Sequence, residues 1–124
     1  MVRKGSALAV VIALVALATA VSAFGRADAP VPVTVTAGKP TEFSFTLSKK
    51  TLTKGATALT VNFKVTNKGA ISHDFKIGGK ITKSLAKGKT QTLTVKFLKK
   101  GKYAYLCTLP GHAAGGMKGT FIVK

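Results

Sequence analysis

Cys107, His112 and Met117 are spaced with four residues between each and the next, in Cys107-Thr108-Leu109-Pro110-Gly111-His112-Ala113-Ala114-Gly115-Gly116-Met117. His73 lies 34 positions before the cysteine, in Ile71-Ser72-His73-Asp74-Phe75. The chain contains one Cys and two His, and all three belong to this set. A thiolate and two imidazoles in a plane, with a thioether further off on the axis, are the donors of a mononuclear copper centre that exchanges single electrons. Sulfur favours Cu(I) and imidazole suits both oxidation states, so a near-trigonal site needs little rearrangement when an electron moves. Taken singly, Cys107 is explicable as a small buried hydrophobe and Met117 as core filler. His73 beside Asp74 is explicable as a surface ion pair, and His112 as a turn residue. Taken together, these ordinary explanations require every Cys and His to fall into one metal-ligand spacing by coincidence.

The elements that must position these residues are strands. Val31, Val33 and Val35 alternate with Pro32, Thr34 and Thr36; Phe43, Phe45 and Leu47 alternate with Glu42, Ser44 and Thr46. The same period of two runs through Leu59, Val61, Phe63 and Val65, and through Leu93, Val95 and Phe97. Such alternation marks half-buried strands with one apolar and one solvated face. Turn signals separate the runs at Lys54-Gly55, Lys68-Gly69, Gly78-Gly79, Lys87-Gly88 and Lys100-Gly101. No segment of the mature chain has a convincing amphipathic helical pattern, and the expected fold is an all-β antiparallel sandwich. Gly101 to Cys107 reads as a strand ending at the cysteine, and Lys118 to Lys124 as the next. The nine residues between Cys107 and Met117 then form a loop at one pole, where Pro110, Gly111, Gly115 and Gly116 allow tight curvature. His73, near a strand end, would join them from a neighbouring loop.

Arg3 and Lys4 precede an uncharged run from Gly5 to Gly25, and Val21-Ser22-Ala23 fits a small-x-small cleavage rule. This is the pattern of a helical secretory signal peptide over residues 1–23, with Ala18-Thr19-Ala20 as a second cleavage candidate. The run is also near spanning length, so an uncleaved anchor is the rival reading, weakened by its Ala, Ser and Thr content. Residues 24–32 are expected to be a tether and 33–124 a single domain, with 101 residues left after cleavage. Export would place the protein in a periplasmic, extracellular or cell-envelope setting. One cysteine allows no internal disulfide; a lone exported thiol is an intermolecular linker, a reactive group or a metal ligand, and ligation would also protect it from oxidation.

The 124-residue chain carries 20 Lys and Arg against three acids, Asp28, Glu42 and Asp74. Removing residues 1–23 takes away Arg3 and Lys4 and leaves a net charge of +15. Charge of this size steers a protein toward anionic partners. Export, and lysines scattered without interleaved aromatics, argue against nucleic acid. An acidic protein partner or an anionic envelope surface is expected, unless the lysines only keep strand edges soluble.

Asn67-x-Gly69, Ser72-His73-Asp74-Phe75, Tyr103-Ala104-Tyr105-Leu106-Cys107 through Met117, and Gly119-Thr120-Phe121 closely resemble the plastocyanin-like cupredoxins. The resemblance covers roughly residues 31–124 and implies a Greek-key sandwich binding one type 1 (blue) copper ion. It implies His73, Cys107 and His112 as strong ligands, the histidines through Nδ1, and Met117 as the axial ligand. The Cys-x4-His spacing is longer than plastocyanin's own. The family often has Asn after the first histidine, tying two ligand loops; Asp74 stands there, either tied to Thr108 in the same way or left as a solvated carboxylate. Electrons in the family usually pass the exposed edge of the second loop histidine, here His112, ringed by Leu109, Pro110, Ala113 and Ala114. The resemblance implies a monomeric carrier shuttling single electrons between redox proteins. Copper sequestration or delivery is the alternative, and a metal-free adhesion sandwich is a more distant one. An oxidase centre needs further histidines flanking the cysteine; Leu106 and Thr108 stand there instead.

Overall fold

The computed structural model describes residues 29–124; the expected signal segment and most of the tether lie outside them. Nine strands fill this part: β1 (Val31–Ala37), β2 (Phe45–Leu47), β3 (Thr51–Leu52), β4 (Leu59–Asn67), β5 (Lys76–Ile77), β6 (Lys80–Ile81), β7 (Thr90–Phe97), β8 (Gly101–Leu106) and β9 (Lys118–Val123). They form two sheets, in the orders β2-β1-β4-β7 and β3-β9-β8-β5-β6. The expected all-β sandwich is what the chain forms, and no described helix is long and apolar enough to cross a membrane. Alternation along the long strands explains the layers: Val61, Phe63 and Val65 of β4 point inward, as do Leu93, Val95 and Phe97 of β7. Most ladders are antiparallel, but β1 runs parallel to β4 and β3 parallel to β9. A period of two records which face is buried and is silent on strand direction, so these two pairings are not encoded in it. Phe43, expected to continue the β2 alternation, lies outside that strand and is 39% exposed.

The core is a cluster of aromatic rings between the sheets. Phe63 meets Phe75, Phe97 and Phe121 at centroid separations of 5.5, 6.3 and 5.4 Å. Burying each such ring contributes about 1.5–3 kcal/mol. Two of the anchors sit two residues from functional positions. Phe75 follows His73 by two, Tyr105 precedes Cys107 by two, and their rings lie 5.6 Å apart. Side chains on a strand share a face every second residue. The same burial that packs Tyr105 therefore turns Cys107 toward the interior at the pole of the sandwich.

Candidate metal centre

Each of the expected ligands is placed by a distinct backbone device. Cys107 directly follows β8, and its N–H donates to the Met117 carbonyl at 3.1 Å, closing the loop between them. Inside that loop the N–H groups of His112, Gly115 and Gly116 donate to the carbonyls of Leu109, Gly111 and Ala113. Gly111 and Gly116 adopt φ of 81° and 112°, a region that side-chain-bearing residues seldom enter, which permits successive tight turns. The Met117 N–H donates to the His112 carbonyl at 3.0 Å, so the positions of histidine and methionine are linked. His73 lies in a short antiparallel pair with Leu85, bonded both ways at 3.1 and 2.7 Å. Thr82 holds the next turn of chain, its hydroxyl accepting from the Phe75 N–H at 3.0 Å.

These devices bring three side chains to one point. His73 Nδ1 is 3.1 Å from His112 Nδ1, and Cys107 Sγ is 3.4 Å from the same His112 nitrogen. The ligand atoms of His73, Cys107 and His112 all lie within 4.8 Å of one another. His73 and Cys107 are buried and His112 is half-buried, so the site opens toward solvent at His112. Met117 is fully buried and packs with Cys107, Ala37, Phe45 and Leu109. Two imidazole nitrogens and a thiol sulfur facing one another, with a thioether packed beside the thiol, fit the donor preferences of copper.

A carboxylate and an amide hold these segments from behind. The N–H of Thr108 donates to Asp74 Oδ1 at 2.6 Å, and its hydroxyl donates to Asp74 Oδ2. The tie between the two ligand-bearing segments is therefore formed. The Asp74 N–H also points at Cys107 Sγ, 3.5 Å away. Asn67 is fully buried; its Nδ2 donates to the Ile71 and Leu85 carbonyls, and its Oδ1 accepts from the Gly69 N–H. This braces the chain on both sides of His73. Burial pushes the Cys107 thiol above its ordinary pKa, while the N–H groups of Asp74 and Leu109 oppose that shift by favouring the thiolate.

The chain belongs to the cupredoxin-like domain family. The family model matches residues 7–123. Among solved structures, the chain is similar to a sodium-dithionite-reduced auracyanin from Roseiflexus castenholzii, with 26% identity, TM-score 0.57, and coverage of 77% of this chain and 98% of that one. It is similar to rusticyanin from Thiobacillus ferrooxidans at 31% identity and TM-score 0.54, covering 77% of each chain. Auracyanin A from Chloroflexus aurantiacus, described as a "blue" copper protein, shares the fold at 24% identity and TM-score 0.57, covering 77% of this chain and all of that one. Comparison with curated proteins gave no match.

Two parts of this cupredoxin centre are not anticipated by the ligand spacing. Glu42, in the loop between β1 and β2, places Oε1 2.7 Å from His73 Nε2. Its two oxygens also accept from the Ala70 and Ile71 N–H groups at 2.9 and 3.1 Å. Those two backbone bonds, followed by the His73 contact, hold the Glu42 carboxyl down at about 2, from an ordinary 4.5. Phe43, the next residue, packs edge-on against the His112 ring at 5.0 Å. The only signal for Glu42 in the sequence is scarcity, since it is one of three acids among 20 bases.

Proposed function

We propose that this cupredoxin is an exported mononuclear copper protein that passes single electrons between redox partners. His73, Cys107 and His112 are the strong ligands in this reading, and Met117 is the axial one. The observation that carries it is the convergence of the His73, Cys107 and His112 donor atoms within 4.8 Å at one pole of the sandwich. Bound there, copper would supply a one-electron couple between Cu(I) and Cu(II). The residues supply the rest. Burial of Cys107 and His73 in the pole keeps water from these two donors, and the Asp74–Thr108 tie limits how far the two ligand segments can move apart. Little motion between oxidation states means a small reorganisation cost for each electron passed.

His112 is the half-buried donor, and its rim carries Leu109, Pro110, Ala113 and Ala114, joined by the exposed Phe43. A small apolar patch suits brief docking, since redox encounters use small interfaces. Lys118 is exposed at the end of the same loop and would steer an acidic partner toward the patch. The protein has no histidine beyond His73 and His112 for a second copper centre, in keeping with a carrier and not an oxidase. Residues 1–23 would act as the export signal and 24–32 as the tether, ahead of the domain 33–124. Stopped-flow exchange with an anionic and a cationic one-electron reagent of equal driving force tests the reading. The anionic reagent should react faster, lose that advantage as salt rises, and slow further with Lys118→Glu. Equal, salt-independent rates would contradict it.

A further inference from the structure

We propose that Glu42 is a positioning residue of the copper centre, fixing the His73 imidazole and lowering the reduction potential through its negative charge. The inference rests on the copper reading above. Glu42 reaches His73 from a loop 31 residues earlier and grips the 70–73 segment by three bonds, from the Ala70 N–H, the Ile71 N–H and His73 Nε2. A carboxylate has only acceptors, so His73 Nε2 must carry the proton and Nδ1 is left with a free lone pair. Nδ1 is the atom that faces His112 at 3.1 Å. The contact therefore selects the tautomer that can bind a metal, and it holds the ring plane before any metal arrives. A carboxylate behind a ligating imidazole also raises the basicity of the ligand.

The local backbone is shaped to admit this carboxylate. Gly69 has no side chain where one would strike Glu42 Oε1 and lie 2.9 Å from His73 Nε2. Charge distribution points the same way. The two acids among the described residues, Glu42 and Asp74, both sit at the copper pole of a strongly basic chain, and each is bonded to a ligand or to the residue beside one. A neutral acceptor would orient His73 equally well. What a carboxylate adds is negative charge near the metal, which stabilises Cu(II) over Cu(I). The Glu42 side chain is 32% exposed, so solvent moderates the effect without abolishing it.

The test compares the copper-loaded full chain as wild type, Glu42→Gln and Glu42→Ala. Three quantities are read: reduction potential, copper loss to a chelator, and solvent exchange of the His73 Nε2 proton by NMR in the metal-free protein. Gln keeps one acceptor oxygen for His73 and loses the bond to the Ala70 N–H. It should leave the visible copper–thiolate band and the protected proton in place while the potential rises. Ala should raise the potential, expose the proton to exchange and speed copper loss about 10–100-fold. A Gln variant at the wild-type potential, or an Ala variant with unchanged proton protection and copper retention, overturns the inference. A wild-type protein without the thiolate band overturns the copper reading itself, which separates the two failures.

Discussion

Asp74, the residue after His73, accepts both the N–H and the hydroxyl hydrogen of Thr108, the residue after Cys107. Two segments separated by 34 positions are thereby joined one residue beyond His73 and Cys107. The pair acts as a hinge pin: it carries no metal, yet it fixes the spacing between imidazole and thiol. Removing it should loosen the site more than it weakens the fold. Asp74→Ala is expected to reduce copper affinity about 10–100-fold. Thr108→Val, which keeps the backbone bond, should fall between that and wild type. Competition against a chelator of known affinity measures both, and an Asp74→Ala protein with unaltered affinity would remove the pin from the account.

Copper uptake should release a proton. Burial raises the Cys107 pKa, so near neutral pH the metal-free protein holds the thiol protonated, and ligation must expel that proton. Affinity should therefore fall about tenfold for each pH unit below the thiol pKa. Titration in weakly buffered solution should register about one proton per copper from this group, and Cys107→Ser should lose that release.

Acid should cost the fold a contribution that Glu42 makes. Its carboxyl binds a proton more weakly folded than unfolded, at about 2 against an ordinary 4.5. The stabilisation is thus complete above about 4.5 and disappears as pH falls toward about 2. Thermal melts of metal-free wild type and Glu42→Gln should show a difference in Tm that narrows across this window. A constant gap would mean that the carboxylate is not held in the folded state as described.

Asn67 should be among the most sensitive polar positions. Truncation to Ala takes the side-chain partner from the Gly69 N–H and the Ile71 carbonyl, while the Leu85 carbonyl keeps only the His73 N–H. Each buried polar group so orphaned costs about 1–3 kcal/mol, so Asn67→Ala is expected to lose about 3 kcal/mol in urea unfolding. Asn67→Asp, which supplies no N–H donor, should be nearly as damaging. A loss below about 0.5 kcal/mol, the range of ordinary surface changes, would contradict this.

The sandwich was legible because Val33, Val35, Phe63, Val65, Leu93 and Val95 alternate strictly with polar neighbours, and burial is what period two records. The meeting of Cys107 with His112 was legible because their loop is local: four-residue gaps and glycines describe it without reference to the rest of the chain, and Met117 closes the same loop as the proposed axial ligand. His73 was reachable because no other histidine competes with it. The Asp74–Thr108 tie was reached as one of two readings of Asp74, through the neighbours of His73 and Cys107. Glu42 and Phe43 were not reachable in this way. Their link to His73 and His112 depends on the loop after β1 folding over the metal pole, and the parallel pairing of β1 with β4 that brings it there leaves no trace in the alternation. For the same reason Phe43 reads as one more inward strand residue, although it leaves the strand to cover His112.

Titration of the purified protein with Cu(II), followed by visible absorption, decides whether the pole of the sandwich binds copper through Cys107. An intense thiolate-to-copper band should appear, saturate at about one copper per chain, and be abolished by Cys107→Ser. A colourless protein, or a band that survives loss of the Cys107 sulfur, would contradict it.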